Sequence, residues 1–336
     1  MGDVPKPEST LEHFLEARIP SMLENQSLTA LPGVRVGHWT NQLARTGCTV
    51  ILLPKGGAVA SVEVRGGAPG TRETALLEPE KSVKQVHALL FSGGSAFGLA
   101  AATGVVDFLE GQGEGVQTPA AKVPIVPTAV IYDLAVGDSS VRPNADSGMA
   151  ACHAASSDPV QGGRVGAGTG AMVGKVFGLE FAQAGGLGNA ALKIGGFTIA
   201  ALVVANATGD IINESGQVIA GAQRKDGSRP SRLESLERMM QTDQIAFLEH
   251  TNTTLVAVGT DAPLTKLECY RLAQAAQMGL ARGTRPSHTP FDGDTAFAFS
   301  VMQITPAIPE APMNALVAAT QEVVMMALLD AVQTRD

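Results

Sequence analysis

The chain has 336 residues, 45% of them apolar and 17% charged, with 38 glycines, which is length and apolar content enough to bury a large core rich in tight turns. With 24 basic against 32 acidic residues the formal charge is −8, and without a Lys/Arg cluster neither nucleic acid nor an anionic membrane is expected as a partner. Three cysteines with no Cys-x-x-Cys, and six histidines with no His-x-x-x-His, argue against a disulfide framework or a metal centre and fit a reducing compartment, and no cofactor is expected.

Residues 1–28 carry neither the basic nor the apolar region of a secretory signal and read as an extension, loose or serving as an oligomer arm. No run of about 18 apolar residues free of charges and turn breakers is present. The expected location is therefore cytoplasmic, and the length suits one large domain or two ordinary ones.

Strands are expected at Val34–His38, Gly47–Leu53 and Ala58–Val64, the last two joined as a hairpin through Pro54-Lys55-Gly56-Gly57. The loop Arg65-Gly66-Gly67-Ala68-Pro69-Gly70-Thr71-Arg72 fits two readings, arginines facing a carboxylate or a solvated turn. A short strand over His87–Phe91 runs into Ser92-Gly93-Gly94-Ser95-Ala96-Phe97-Gly98 and then an Ala-rich helix to Leu109. This resembles a nucleophile elbow, but Phe97 stands where Gly-x-Ser-x-Gly needs glycine. Gly94 and Ser95 are better read as packing at the wall of a site. Tyr132, one of only two tyrosines, is a pocket candidate. Gly162 to Lys175 fails the phosphate-loop test, because Val176 follows the lysine where Ser or Thr is required.

Phe197–Ala205 has the unbroken apolar character of a central strand covered on both faces, and it ends at Asn206. An amide exposed at that tip has two readings, a turn residue or a donor to a developing oxyanion. Leu255–Val258 is another short apolar strand, entered through Asn252-Thr253-Thr254. A threonine there is a turn residue, or one freed by backbone cleavage whose own α-amine then activates its hydroxyl. Such an amine has a pKa near ~7.7–8.0, so a useful fraction is neutral at pH 7. Leu264–Ala281 reads as a helix carrying Lys266, Arg271 and Arg282 outward. The loop Pro286-Ser287-His288-Thr289-Pro290-Phe291-Asp292-Gly293-Asp294 then offers two carboxylates for proton transfer, or simply an acidic turn before the strand Ala296–Val301. Met313, Leu316, Val317, Thr320, Val324, Ala327, Leu328 and Ala331 give the last helix an apolar stripe.

Taken together, Pro32-Gly33-Val34-Arg35-Val36-Gly37-His38, Arg65-Gly66-Gly67-Ala68-Pro69-Gly70-Thr71, Ser92-Gly93-Gly94-Ser95, Val165-Gly166-Ala167-Gly168-Thr169-Gly170, Asn252-Thr253-Thr254-Leu255 and Asp292-Gly293-Asp294 resemble the DmpA-type aminopeptidases. These are also called β-peptidyl aminopeptidases, and they share a fold with ornithine acetyltransferases. The resemblance runs from about Pro32 to the C-terminal helix. It implies that residues 29–336 form a single catalytic domain, an α+β, four-layer αββα sandwich, made as a precursor that cuts its own backbone before a Ser or Thr. Here the cut falls between Asn252 and Thr253, giving chains 1–252 and 253–336.

By the same resemblance Thr253 is the nucleophile, Asn206 the oxyanion donor and Asp294 the catalytic carboxylate. Tyr132, Ser95, Gly94 and His288 are expected, on the residue reading alone, to line the substrate pocket. The substrate is a small peptide or amide and the assembly a homo-oligomer, a tetramer in the family. Two positions depart from the family's peptidases: Asp292 stands where they have serine, and Val130 lies near where they carry an acidic residue associated with the substrate amine. An acyltransferase of the same fold and an uncleaved, non-catalytic homologue are the alternatives.

Overall fold

The computed structural model describes residues 23–242, 252–302 and 312–333. Thr251 and the expected extension up to residue 22 fall outside that description. Residues 23–28 do not: Leu28 is completely buried in the central core, so the packed body begins before residue 29.

The first half of the chain supplies β1 (Arg35–Asn41), β2 (Thr46–Leu52), β3 (Ala58–Val64), β4 (Thr71–Arg72), β5 (Gln85–Val86), β6 (Ala88–Ser92) and β7 (Thr128–Val130). Helices α1 (Ala101–Gly111) and α2 (Ala145–His153) lie among them. The second half adds β8 (Gly186–Ile194), β9 (Phe197–Asn206), α3 (Arg232–Thr242), β10 (Thr253–Thr260), α4 (Lys266–Gly283), β11 (Thr295–Ser300) and α5 (Met313–Ala331). Two large sheets result, ordered β1-β2-β6-β7-β4 and β8-β9-β10-β11-β3-β5.

Strand alternation assigns every buried side chain to a layer. Ile51, Leu89 and Phe91 of the first sheet meet Leu202, Val204, Leu255, Ala257, Phe297 and Phe299 of the second in the central layer. Val50, Leu52, Ala88 and Leu90 face the other way, onto Ala101, Val105, Ala151 and Cys152 of α1 and α2. Val203, Val256, Val258 and Ala298 face α4 and α5 through Leu272, Ala276, Leu316, Val324 and Leu328. The fold is thus an αββα sandwich, with each sheet covered on both faces. Helix α5 is long and apolar enough to cross a bilayer by length and composition. Its apolar stripe is spent on this packing.

Glycine sets the approach of the first helical layer. A Cβ on Gly104 of α1 would stand 1.8 Å from the Ala145 carbonyl, and one on Gly148 of α2 2.0 Å from that of Ala101, so the two helices touch backbone to backbone.

Two expectations are corrected. β2 and β3 are not a hairpin: β2 pairs with β1 and β6, whereas β3 pairs with β11 and β5. The turn at 54–57 carries the chain from one sheet to the other, so that β2 is hydrogen-bonded between β1 and β6 and β3 between β11 and β5. Lys266 does not point outward. It is 7% exposed, and its Nζ donates to the carbonyls of Leu76, Lys81 and Val83 at 2.8, 3.0 and 2.8 Å. Three backbone acceptors replace the water the ammonium would otherwise need.

Candidate active site

β9 and β10 run antiparallel in a register that sets Asn206 opposite Thr253. β11 lies on the other side of β10, parallel to it, so the 286–294 loop arrives beside the start of β10. An isolated parallel bridge between Asn252 and Asp292 fixes that approach. Four polar residues expected on chemical grounds are therefore gathered at one sheet end, all buried: Asn206, Thr253, Asp292 and Asp294 are exposed by 1%, 5%, 2% and 2%. Asn206 is not the exposed tip that its position suggested, because the 172–175 segment covers it.

At the junction the Thr253 hydroxyl donates to the Asn252 carbonyl at 2.5 Å, and the Gly293 N–H donates to the same oxygen at 2.9 Å. A Cβ at Gly293 would come within 2.6 Å of Thr253 Oγ1, so glycine lets the loop close on the threonine. Asp294 accepts the Thr254 N–H on Oδ1 at 2.7 Å. On Oδ2 it accepts the backbone N–H of His288 at 3.0 Å and faces His288 Nδ1 at 3.0 Å. Asp292 accepts from Thr208 Oγ1 at 2.8 Å and from the Thr289 N–H at 2.7 Å. Burial pushes the Asp292 carboxyl above the ordinary carboxylate range, and the charge of Asp294 pushes it the same way.

The amide of Asn206 has a defined orientation. Its Oδ1 receives the Met172 N–H and Lys175 Nζ, both at 3.1 Å, and the backbone N–H, which cannot accept, fixes which end is the oxygen. Nδ2 donates to the Tyr132 carbonyl at 3.4 Å. Lys175 Nζ also bonds the Asn206 carbonyl at 2.9 Å. Burial lowers the pKa of this lysine to about 7 against the opposing pull of Asp292 and Asp294. The sequence reading tested Lys175 only as a phosphate-loop lysine. Nothing local marks it as a partner of a strand end more than thirty residues away.

The remaining candidates fall into two groups. Gly94 and Ser95 flank the Tyr132 segment: the Gly94 N–H bonds Asp133 Oδ1 at 2.7 Å, and the Ser95 N–H bonds the Ile131 carbonyl at 2.9 Å. A Cβ on Gly98 would lie 1.8 Å from the Gly93 carbonyl, which makes this bend a packing device. His288 belongs instead with the carboxylates. It was expected to line the pocket, yet both ring nitrogens are engaged, Nδ1 on Asp294 and Nε2 on the Gln277 carbonyl at 3.3 Å.

The arginines of the 65–72 loop do not face the site carboxylates. Arg65 pairs with Glu63 at 3.0 Å on the surface. The loop contributes backbone, as the Arg65 N–H reaches the Asp294 carbonyl at 3.0 Å and the Ala68 N–H that of Asp292 at 2.8 Å. Among the described residues no group of three or more His, Cys, Asp or Glu side chains gathers to hold a metal ion.

Comparison with known proteins adds four findings. The model of peptidase family S58 matches residues 26–335. A protein of Mycobacterium tuberculosis described as an uncharacterised aminopeptidase is 43% identical over 286 residues, covering 82% of this chain and 81% of the relative. A 6-aminohexanoate-oligomer endohydrolase of Paenarthrobacter ureafaciens is 32% identical over 311 residues, covering 89% of this chain and 84% of the relative. The solved L-aminopeptidase D-Ala-esterase/amidase of Ochrobactrum anthropi, described as a variant of the Ntn hydrolase fold, superposes with a TM-score of 0.68 at 22% identity, covering 94% of this chain and 87% of that one.

Proposed function

This chain belongs to peptidase family S58 and is a hydrolase, and from that premise we propose that it is a self-processing amidohydrolase whose nucleophile is Thr253. The observation that carries the reading is the convergence of the Thr253 hydroxyl and the Gly293 N–H on the Asn252 carbonyl oxygen. The hydroxyl rests against the bond to be cut, and a backbone donor is aimed at the oxygen that will take up charge.

In maturation Thr253 Oγ adds to the Asn252 carbonyl carbon, and the Gly293 N–H receives the oxyanion. The C–N bond then breaks. The nitrogen leaves as the α-amine of Thr253, taking up the hydroxyl proton by way of the Asp292 and Asp294 carboxylates. Water hydrolyses the resulting ester, freeing the Asn252 carboxylate and regenerating the hydroxyl. In turnover the α-amine takes the hydroxyl proton as Oγ attacks a substrate amide and passes it to the leaving amine. Asn206 Nδ2 serves the oxyanion, and Lys175, donating to Oδ1 of the same amide, polarises it toward donation. The acyl-enzyme ester is hydrolysed in the second half-reaction.

The intact mass of purified protein tests this. Two chains matching 1–252 and 253–336 are expected, together with a single uncut and inactive chain for Thr253→Ala. Activity surviving that substitution would sink the proposal.

For substrate, small peptides and short linear amide oligomers fit this reading. Val130, near which the family's peptidases carry the acid for a free amine, is apolar and 4% exposed. This supports cleavage without a free-amine requirement, the kind of activity for which the 32% identical relative is named. Comparing a free with an N-acetylated amide substrate separates the two modes.

A further inference from the structure

His288 occupies an unusual position for a loop residue. Its φ of +56° is in the left-handed region, which is strained for a residue with a Cβ and recurs at functional sites. That conformation turns both its backbone N–H and its ring Nδ1 onto one oxygen, Asp294 Oδ2. The other ring nitrogen meets the Gln277 carbonyl. A carbonyl only accepts, so Nε2 must carry a hydrogen. Asp294 meanwhile accepts two backbone N–H groups, one on each oxygen. Because Oδ2 already serves as the acceptor of the His288 N–H, the geometry assigns Nδ1, 3.0 Å away, as a second donor to it, carrying a hydrogen as well.

We propose that His288 is a positioning residue that works as an imidazolium, donating from Nδ1 so that Asp294 is fixed against the Thr253–Thr254 strand. This inference rests on the Thr253 reading for its kinetic consequence, but not for the protonation it asserts. The charged groups around the ring are consistent with it. Asp294 and Asp292 lie on its own loop, Arg65 comes from the loop after β3 and is offset by Glu63, and Lys175 lies within the field of the two carboxylates. Burial alone would lower the imidazole pKa, yet the hydrogen bond and charge of Asp294 outweigh it and leave the pKa above the ordinary 6.5. Without the proton, a ring lone pair would face the carboxylate, and the site would carry one more uncompensated negative charge. Negative charge there holds the α-amine of Thr253 in its ammonium form, which cannot act as the base.

The test has two arms. Ring-proton NMR titration of the full-length Thr253→Ala chain, with the His288 signal identified by its loss in His288→Asn, should give a pKa above 6.5 that falls when Asp294→Asn is added. A value at or below 6.5, or one indifferent to Asp294→Asn, overturns the proposal, and this arm needs no catalysis, so it stands even if Thr253 is not the nucleophile. In the second arm the pH profile of a chromogenic aminoacyl anilide is measured for the wild type and His288→Asn. Asparagine accepts a left-handed backbone and keeps an uncharged donor. The alkaline limb of kcat should flatten in the variant, with kcat about tenfold lower at neutral pH and KM within about twofold. An unchanged limb, or a rise in KM alone, would make His288 the pocket contact first expected and overturn the proposal.

Discussion

Two buried carboxylates, one beside each sheet, show what separates a scaffold from a site. Asp133, beside the first sheet, accepts the Thr46 hydroxyl at 2.7 Å and the Gly94 N–H at 2.7 Å. Asp294, beside the second, accepts two backbone N–H groups in the same manner. Asp133 follows the short strand β7 and Asp294 immediately precedes β11, and both adjoin glycine-containing loops. Asp133, however, receives its hydroxyl directly, and burial pushes its pKa up despite its hydrogen bonds. Around Asp294 a second carboxylate, an imidazole and a buried lysine share one pocket of charge, while the nearby hydroxyl is turned toward a peptide carbonyl. A buried acid with its valences filled organises a loop. One held among other titratable groups can move protons.

Substitutions can sharpen or break this contrast. The largest effect is expected at Thr253→Ala, which should leave an uncut chain by mass and lower amide hydrolysis by roughly 10³-fold or more. Asp294→Asn should cost roughly 10²-fold in apparent kcat, because self-cutting loses one of its two proton-transfer carboxylates and the Thr253–Thr254 strand loses its anchor. Gly293→Ala should slow self-cutting about tenfold, followed by gel densitometry, because the new methyl, 2.6 Å from Thr253 Oγ1, displaces the hydroxyl from the Asn252 carbonyl.

Asp133→Asn, the matched control, should change kcat less than about threefold. Its signature is in stability. A folded pKa above the ordinary 3.8 means that the contribution of Asp133 is complete below that pH and is lost as pH rises through the folded value. Melting curves at pH 4 and pH 7 should therefore show the variant gaining on the wild type toward neutrality. If Asp133→Asn were as damaging to kcat as Asp294→Asn, the contrast would collapse. Lys266→Met should move activity least, lowering stability by roughly 1–3 kcal/mol through three unpaired carbonyls while kcat holds.

Much of this was legible in the sequence because it is carried by neighbours along the chain. The apolar run ending at Asn206, the run beginning after Thr253, and the Asp292-Gly293-Asp294 turn each announce a strand end with chemistry attached. Strand register then brings them together, while the four-layer fold is an expectation of the family resemblance carried by the ordered motifs and not of strand patterning alone. What stayed hidden depends on distant contacts. Lys266 looks like any helical surface lysine until the 76–83 segment wraps over it. Lys175 lies in a glycine-rich stretch that resembles several motifs and satisfies none. The part played by Gly293 belongs to a backbone N–H, which has no sequence signature, and the sheet change at 54–57 uses the same residues a hairpin would.

The register of β10 has a consequence for assembly. This strand is interior to its sheet, with β9 on one side and β11 on the other, and the proposed cut falls at its first residue. Residues 253–336 would retain β10, β11, α4 and α5, two interior strands and the two principal helices of one outer layer. Cutting there changes the molecularity of unfolding: the uncut chain loses its structure as one molecule, the cut pair as two. The melting temperature of the cut form should accordingly rise with protein concentration, and that of Thr253→Ala should not. Refolding after the cut becomes an encounter between fragments, so the tether that guided the first folding is used only once.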